Sequence, residues 1–211
     1  MGIIVANMFL TLDGVYQAPG AVEEDQEGGF GYGGWQAPFF DEESGAAMGA
    51  VIERIDALLL GRKTYDIFAA YWPNAGDDSP IAAKFNAAPK YVVSTKLTEP
   101  SWAGTTVLRN AMAAAHLRER HDEVHLFGSG NLLQSLFTED VVYRLNLWLY
   151  PLTLGSGKRL FGAGTIPASF RLVGPARTFE KGAVGLVYER AGEVETGNID
   201  EVEARRSRGD G

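Results

Sequence analysis

Three short polar segments, each directly after a run of apolar residues, are the residues of this sequence best suited to bind an anion. They are Gly61-Arg62-Lys63-Thr64, Ser94-Thr95-Lys96 and Gly128-Ser129-Gly130. In a parallel sheet every strand-to-helix turn lies at the same edge, where ligands of open α/β sheets bind. A helix that starts there presents free N–H groups to an anion, and an arginine matches phosphate geometry. The pattern therefore predicts a phosphorylated nucleotide lying across the sheet.

Each segment taken alone also fits a plain turn. Arg62 and Lys63 are compatible with solvated loop charges and Thr64 with a helix N-cap, and small hydroxyl residues such as Ser94 commonly form turns. The segment 128–130 would let a backbone approach a diphosphate closely. It lacks the lysine of a P-loop and the distal acid of the dinucleotide fingerprint. The prediction rests on the coincidence of the three segments.

Composition excludes several other classes of function. A net charge of −8 and a pI near 4.9 over 211 residues argue against a general nucleic-acid surface. The chain has no cysteine, and His116, His121 and His125 lack metal-ligand spacing, so no metal site is predicted. No apolar run approaches the ~20 residues of a membrane span, and the N-terminus does not resemble a signal peptide. We expect a soluble, cytoplasmic protein.

Apolar periodicity predicts the elements that position these segments. Strands are predicted at 3–10, 56–60, 90–93, 105–108 and 123–127, and helices at 41–55, 64–70, 80–87, 110–120 and 129–137. After residue 137 the pattern is mostly antiparallel, with strands at 142–150, 170–179 and 184–190. The chain is thus predicted to be an α/β protein with a mixed sheet, parallel at its centre and antiparallel at its C-terminal edge, flanked by helices. Residues 1–190 form one domain, and the polar residues 191–211 form a tail predicted to be disordered.

Five motifs in order resemble the dihydrofolate reductase-like superfamily, and most closely its branch that contains the reductase domain of the riboflavin-biosynthesis deaminase–reductase. The motifs are Leu12-Asp13-Gly14, the segment 60–65, the segment 93–96, the segment 127–130 and the segment 152–157. The resemblance covers residues 3–190. It implies a three-layer α/β/α sandwich that binds NADPH in extended form.

The resemblance also implies roles for the three polar segments. Gly61, Arg62, Lys63 and Thr64 would hold the adenosine 2′-phosphate and the pyrophosphate. Ser94, Thr95 and Lys96 would flank the adenosine phosphate, and Gly128, Ser129 and Gly130 would lie against the pyrophosphate. The number of cations near the adenosine end favours NADPH over NADH.

Two acids are candidate catalytic residues. Asp13 matches an aspartate that lies by the active site in the riboflavin-type reductases, and is equally compatible with a turn residue. Asp41 lies in the region of the substrate carboxylate of the folate-reducing enzymes, though not at their spacing, and is equally compatible with a helix cap. Trp35, Gly155 and Gly157 are predicted to contact the substrate.

The implied activity is transfer of a hydride from NADPH to a small heterocycle or a ribosylamino-pyrimidine such as 5-amino-6-(5-phosphoribosylamino)uracil. Dihydrofolate is the alternative substrate. An alternative of another class is a non-catalytic NADP(H)-binding sensor or partner-binding dimer. The irregular loop 15–40, with its glycine-rich centre at 28–34, is either a lid over the nicotinamide or a flexible connector. Because the resembling branch is commonly dimeric, a homodimer is expected.

Overall fold

A nine-stranded sheet forms the centre of the protein in the computed structural model, which describes residues 1–76, 78–162 and 165–200. The strands are β1 (Ile3–Thr11), β2 (Ala57–Gly61), β3 (Lys90–Val93), β4 (Thr105–Leu108), β5 (Glu123–Phe127), β6 (Val142–Tyr150), β7 (Ser169–Leu172), β8 (Arg177–Thr178) and β9 (Val184–Gly192). The α-helices are α1 (Glu42–Glu53), α2 (Arg62–Tyr71), α3 (Pro80–Ala87) and α4 (Gly130–Thr138). None of the described helices is long and apolar enough to cross a membrane.

The strand order is β4-β3-β2-β5-β1-β6-β9-β7, and β8 pairs with β9. Neighbouring strands from β4 to β6 pair in parallel, whereas β9 runs antiparallel to β6, β7 and β8. The predicted mixed sheet is therefore confirmed. Its parallel part extends one strand further than the sequence pattern indicated, because β6 pairs in parallel with β1. Burial alternates along β6 because the two faces of the strand are covered unequally. This alternation does not indicate whether the strand runs parallel or antiparallel to its neighbour.

Helices cover both faces of the sheet. On one face Ala57 and Leu59 of β2 lie in an apolar cluster that includes Leu133 of α4. On the other face Leu58 and Leu60 join a cluster with Ile52 of α1 and residues of α2 and α3. Successive residues of a strand point to opposite faces, so the unbroken run of leucines in β2 is buried from both sides. The predicted three-layer sandwich is confirmed.

Two predicted elements differ in form from the expectation. Residues Met112–Glu119 form a 3₁₀ helix, in which the buried Ala114 and Leu117, three apart, both face the core. The strand predicted at 170–179 is divided into β7 and β8. Gly174 adopts a φ of 76° between them and is followed by Pro175, which cannot donate to a sheet ladder. Residues 201–211 of the predicted tail lie outside the described residues, and the domain boundary at residue 190 stays a prediction.

Candidate functional site

A cavity of about 910 Å³ opens at the carboxyl ends of the central parallel strands. Two of the predicted segments, 61–64 and 128–130, lie in its wall. Phe9, Tyr16 and residues of the loop 17–25 also line it, together with Gln36 and Lys158. The volume is at the upper end of the range found for ligand sites in proteins, which suits a ligand of cofactor size.

The two wall segments are joined through the side chain of Ser129. Its Oγ accepts a hydrogen bond from the backbone N–H of Gly61 at 2.8 Å and donates one to Oγ1 of Thr64 at 2.9 Å. Ser129 is buried at the start of α4, and Thr64 lies in the first turn of α2. The N-termini of both helices are thereby fixed beside the same cavity, and each carries the free N–H groups and partial positive charge that favour an anion.

Glycine is required at both ends of the segment 128–130. Gly128 has a φ of 57°, in the left-handed region. A Cβ at Gly130 would lie 2.3 Å from Cζ of Tyr16, so the Tyr16 ring packs directly on the helix start. Burial raises the pKa of Tyr16, and the nearby Asp25 carboxylate raises it further. Tyr16 therefore keeps its hydroxyl proton and offers a hydrogen-bond donor in the cavity wall.

The cations of α2 are paired within the protein. Nε of Arg62 donates to both oxygens of Asp66 one turn later, at 2.8 and 2.9 Å. Both side chains are about half exposed, and such pairs contribute only ~0.3–0.5 kcal/mol, so a phosphate can replace Asp66. Lys63 is held more firmly, because its Nζ lies 2.7 Å from Asp25 Oδ1 and 2.6 Å from Glu27 Oε2. Burial lowers the pKa of Lys63, but these hydrogen bonds outweigh it and raise the pKa above its usual value.

The third predicted segment, 94–96, lies outside the cavity wall. Its neighbour Val93 does line the cavity. Oγ of Ser94 accepts from the N–H groups of Lys96 and Leu97 at 3.2 and 3.1 Å, which closes a local turn. Arg109 supports this turn by donating to the carbonyl oxygens of residues 94, 95 and 97. A cofactor role for Ser94, Thr95 and Lys96 stays a prediction.

Asp13 is fully engaged in holding the segment 152–157. Its carboxylate accepts hydrogen bonds from Thr11 Oγ1 at 2.5 Å and from the backbone N–H groups of Leu154 and Gly155 at 3.2 and 2.8 Å. Arg159 adds a contact at 3.1 Å. The Thr11 hydroxyl contributes most to holding the pKa of Asp13 well below its usual value. Asp13 lies outside the cavity wall and remains ionised, so it is poorly suited to donate a proton.

Asp41 also uses both of its oxygens in the backbone. Oδ1 accepts from the N–H of Ser44 at 2.7 Å, and Oδ2 accepts from the N–H of Lys181 at 3.1 Å. The Ser44 hydroxyl in turn accepts from the N–H of Asp41, so the two residues form a capping box at the start of α1. The Ser44 N–H is the main cause of the lowered pKa of Asp41. Of the two predicted interpretations of Asp41, the structure shows the helix cap.

The three residues predicted to contact the substrate are not among the residues that line the cavity. Trp35 is buried, with its indole N–H donating to the carbonyl of Gln17 at 2.7 Å and its ring 5.5 Å from that of Tyr150. Gly155 donates to Asp13, and Gly157 lies against the ring of Phe30. Trp35 thereby supports the wall residue Gln17, and direct contact of any of the three with a substrate stays a prediction.

Sequence reasoning did not single out residues 17–25 of the predicted loop as parts of the wall, which also includes Lys158. Buried Gln17 organises them: its Nε2 donates to the carbonyls of Asp25 and Glu27 at 3.1 and 3.0 Å, and its Oε1 accepts from the N–H of Lys158 at 3.1 Å. The available sequence signal for a buried polar residue that organises this loop was Gln17, which directly follows the apolar pair Val15-Tyr16. Of the predicted lid or connector 15–40, residues within 17–25 form part of the wall, whereas the glycine-rich centre 28–34 is absent from it among the described residues.

The three histidines of the chain are not among the residues that line the cavity. Among residues 1–76, 78–162 and 165–200, no three His, Asp or Glu side chains are grouped as metal ligands would be. His125 is buried in β5, where its Nδ1 lies 3.1 Å from Asn7 Nδ2 and its Nε2 lies 3.0 Å from Glu123. Burial lowers the pKa of His125, which indicates a neutral structural histidine.

Solved structures of other proteins share the fold described above. A crystal structure from Shewanella sp. PV-4, of a protein with a provisional riboflavin-biosynthesis name, matches with a TM-score of 0.68 at 21% identity, over 90% of this chain and 99% of that chain. A pyrimidine reductase-like protein from Corynebacterium diphtheriae matches with a TM-score of 0.56 at 11% identity, over 90% and 92% of the two chains. At these identities the two structures support the fold alone.

Sequence comparison identifies the family. The uncharacterized protein YyaP of Bacillus subtilis strain 168 is 25% identical over 142 residues, which span 65% of this chain and 75% of that protein. The RibD C-terminal domain family matches residues 3–183. The predicted resemblance is confirmed: the chain belongs to the RibD C-terminal domain family, within the dihydrofolate reductase-like superfamily.

Proposed function

We propose that this protein is an NADPH-dependent reductase of a small heterocyclic substrate. The observation that carries the proposal is the pair of helix N-termini joined through Ser129, which places two sets of free N–H groups at one cavity. Membership of the RibD C-terminal domain family supports a reductase, and the size and anion-binding chemistry of the cavity support a phosphorylated dinucleotide.

The residues of the two turns fit such a cofactor. The segment 128–130 offers a backbone without side chains at its glycines, beside the N-terminus of α4. Arg62 is a planar donor whose pairing with Asp66 is easily exchanged for a phosphate. In the proposed mode, the segments 61–64 and 128–130 bind the pyrophosphate and Arg62 binds the 2′-phosphate. When bound, the reduced nicotinamide supplies a hydride.

Other wall residues would exclude water and orient the substrate. Phe9 and Tyr16 give the wall aromatic surfaces, and Gln36 places an amide in it that donates to Tyr150 Oη at 2.7 Å. Reduction of a C=N or C=O bond also needs a proton, and neither Asp13 nor Asp41 is free to give one.

We assign the proton donor to Glu24. Its Oε2 accepts from the N–H groups of Gly20 and Ala21 at 2.7 and 3.2 Å, which fixes the carboxyl in the cavity wall. Burial raises the pKa of Glu24, and these two hydrogen bonds only partly oppose the effect. Glu24 thus keeps its proton to higher pH than an exposed glutamate, as a general acid in a reductase requires.

Fluorescence titration with NADPH and NADH tests the proposal. Wild-type protein is expected to bind NADPH more tightly than NADH, and Arg62→Ala to lose about tenfold or more in NADPH affinity with little change for NADH. Arg177→Ala is the matched control, because it removes an exposed arginine that is also paired with an acid, Glu43, but lies outside the cavity wall. If neither cofactor binds to wild-type protein, the proposal is overturned.

A further inference from the structure

The charges of the cavity wall restrict the substrate as well as the cofactor. In the part of the chain that the structure describes, the wall contains the cations Arg62, Lys63 and Lys158 and the acids Glu23, Glu24 and Asp25. Glu27 lies next to them and contacts two of the cations. A substrate phosphate must therefore find its counter-charge among these groups.

Four of these groups form a closed cluster, which we name the lysine–acid quartet: Lys63, Lys158, Asp25 and Glu27. Each lysine contacts both acids. Asp25 binds Lys63 through Oδ1 at 2.7 Å and Lys158 through Oδ2 at 2.8 Å, and Oε2 of Glu27 contacts the Nζ atoms of both lysines. The charges of the quartet sum to zero, so neither lysine is left to neutralise a substrate phosphate.

The quartet is built into the fold. The Asp25 side chain is only 9% exposed, so removing a lysine from it would leave a buried carboxylate half paired. Gln17, which is 2% exposed, binds the backbone of Asp25, Glu27 and Lys158 and so fixes three of the four members. Burial raises the pKa of Asp25, but the hydrogen bonds from Lys158 and Lys63 outweigh it and keep the pKa low.

The remaining cation serves the cofactor end of the cavity. Arg62 starts α2, whose first turn is joined to the segment 128–130 through Ser129. The loop 18–24, by contrast, packs on the segment 34–36, where Gly34 and Gln36 donate to the carbonyls of Ala18 and Pro19 at 2.9 and 3.1 Å. That part of the wall carries Glu23 and Glu24. A phosphate carries a charge of about −1.5 to −2 at pH 7 and would lie there without a partner.

We propose that the substrate of this reductase carries no phosphate group, and that the lysine–acid quartet excludes phosphorylated analogues. The inference rests on the proposed function, since it assigns Arg62 to NADPH. It names the substrate class as a neutral or cationic heterocycle, and it separates this protein from a reductase of 5-amino-6-(5-phosphoribosylamino)uracil. Asp25 and Glu27 are then specificity-determining residues that act through the two lysines.

Uridine and uridine 5′-monophosphate are suitable probes, because they differ only in the phosphate. Their affinities are measured by ligand-observed NMR and calorimetry on NADPH-saturated wild-type protein, Glu27→Gln and the double variant Asp25→Asn/Glu27→Gln. The ratio of monophosphate to uridine affinity is expected to rise by about tenfold or more in the double variant, because both lysines are then free to bind phosphate. Glu27→Gln, at an exposed side chain, is expected to fold normally and to show a smaller rise.

The outcomes separate the two proposals. Normal NADPH binding together with a wild-type preference of about tenfold or more for the monophosphate overturns the inference and leaves the proposed function intact. The inference is also overturned if the ratio stays unchanged in both variants, or if no protein binds either probe. Monophosphate binding that first appears in the variants supports it. Failure of NADPH to bind to wild-type protein overturns the proposed function and this inference with it.

Discussion

The hydroxyl of Ser129 accepts a hydrogen bond from the backbone N–H of Gly61 at 2.8 Å, across 68 positions of the sequence. This bond joins the carboxyl end of β2 to the start of α4, and the same hydroxyl reaches Thr64 in α2. The proposed binding of an anion in the cavity therefore depends on a contact between two turns and not on either turn alone.

Ser129→Ala is expected to destabilise the protein by ~1–3 kcal/mol, because it leaves the Gly61 N–H without its partner in a half-buried position. NADPH affinity is expected to fall as well, since the two helix N-termini lose their fixed spacing. Urea unfolding and NADPH titration measure the two effects. Thr138→Ala, which removes an exposed hydroxyl that donates to the carbonyl of Gln134 within α4 and lies outside the cavity wall, is the control and should change both quantities little. Equal behaviour of the two variants would refute the coupling.

Gly130→Ala tests the contact between the start of α4 and Tyr16. The added Cβ would lie 2.3 Å from Cζ of Tyr16, so the ring must move, at a cost of ~1–3 kcal/mol. Gly49→Ala is the control, because a Cβ there meets no atom within 4 Å and replaces a glycine inside α1. The control is expected to gain up to ~1 kcal/mol in the free energy of unfolding.

A double-mutant cycle separates this clash from other causes. In a Tyr16→Ala background the ring is absent, so Gly130→Ala is expected to cost much less than in wild-type protein. Unfolding free energies of the four proteins give the coupling energy directly. Additive costs would show that Gly130 is needed for some reason other than room for Tyr16.

The sequence was sufficient to predict that the segments 61–64 and 128–130 lie together at the ligand-binding edge of the sheet. Each segment combines a buried strand with a glycine and a hydroxyl residue at a helix start. Their convergence follows from the parallel arrangement of β2 and β5, which the spacing of strands and helices already indicates. Ser94 satisfies the same pattern, but its hydroxyl closes a local turn. The pattern cannot distinguish a hydroxyl that binds its own turn from one that binds a neighbouring turn.

The lysine–acid quartet could not be predicted in the same way. Lys158 meets Asp25 across 133 positions, and both lie in irregular segments for which periodicity gives no register. Asp41 was predicted both as a catalytic acid and as a helix cap, and Ser44 three positions later was the local signal for the cap. Local side chain–backbone contacts are readable from sequence, whereas contacts between loops depend on the completed fold.

Asp66 is expected to limit the affinity for NADPH. Asp66→Asn frees Arg62 from its partner and removes a negative charge near the proposed 2′-phosphate site, so NADPH should bind severalfold more tightly and NADH about equally. The cost in stability should stay within ~0.5 kcal/mol, because the pair is exposed and four residues apart on a helix. Titrations at low and high salt measure the effect, which should shrink at high salt. Most of the gain should be absent in an Arg62→Ala background, and a full gain there would contradict the assignment of Arg62.

The raised pKa of Glu24 predicts how stability depends on pH. Burial makes the folded state bind the Glu24 proton more tightly than the unfolded state, so this residue favours folding below its unfolded pKa and loses that contribution as pH rises through the folded pKa. Glu24→Gln cannot titrate. Its unfolding free energy relative to wild type is therefore expected to increase as pH rises through this window.

Urea unfolding of both proteins across acid to neutral pH measures this difference, with Glu23→Gln as the control for loss of one neighbouring wall charge. The Asp25 carboxylate also raises the pKa of Glu24, and high salt should reduce its influence more than that of burial. For a substrate reduced by the wild-type protein, the rate should fall as pH rises through the same pKa, and Glu24→Gln should lose about 10²–10⁴-fold in kcat. A Glu24→Gln variant with wild-type kcat and an unchanged pH profile would remove Glu24 from the mechanism, even if the stability difference were observed.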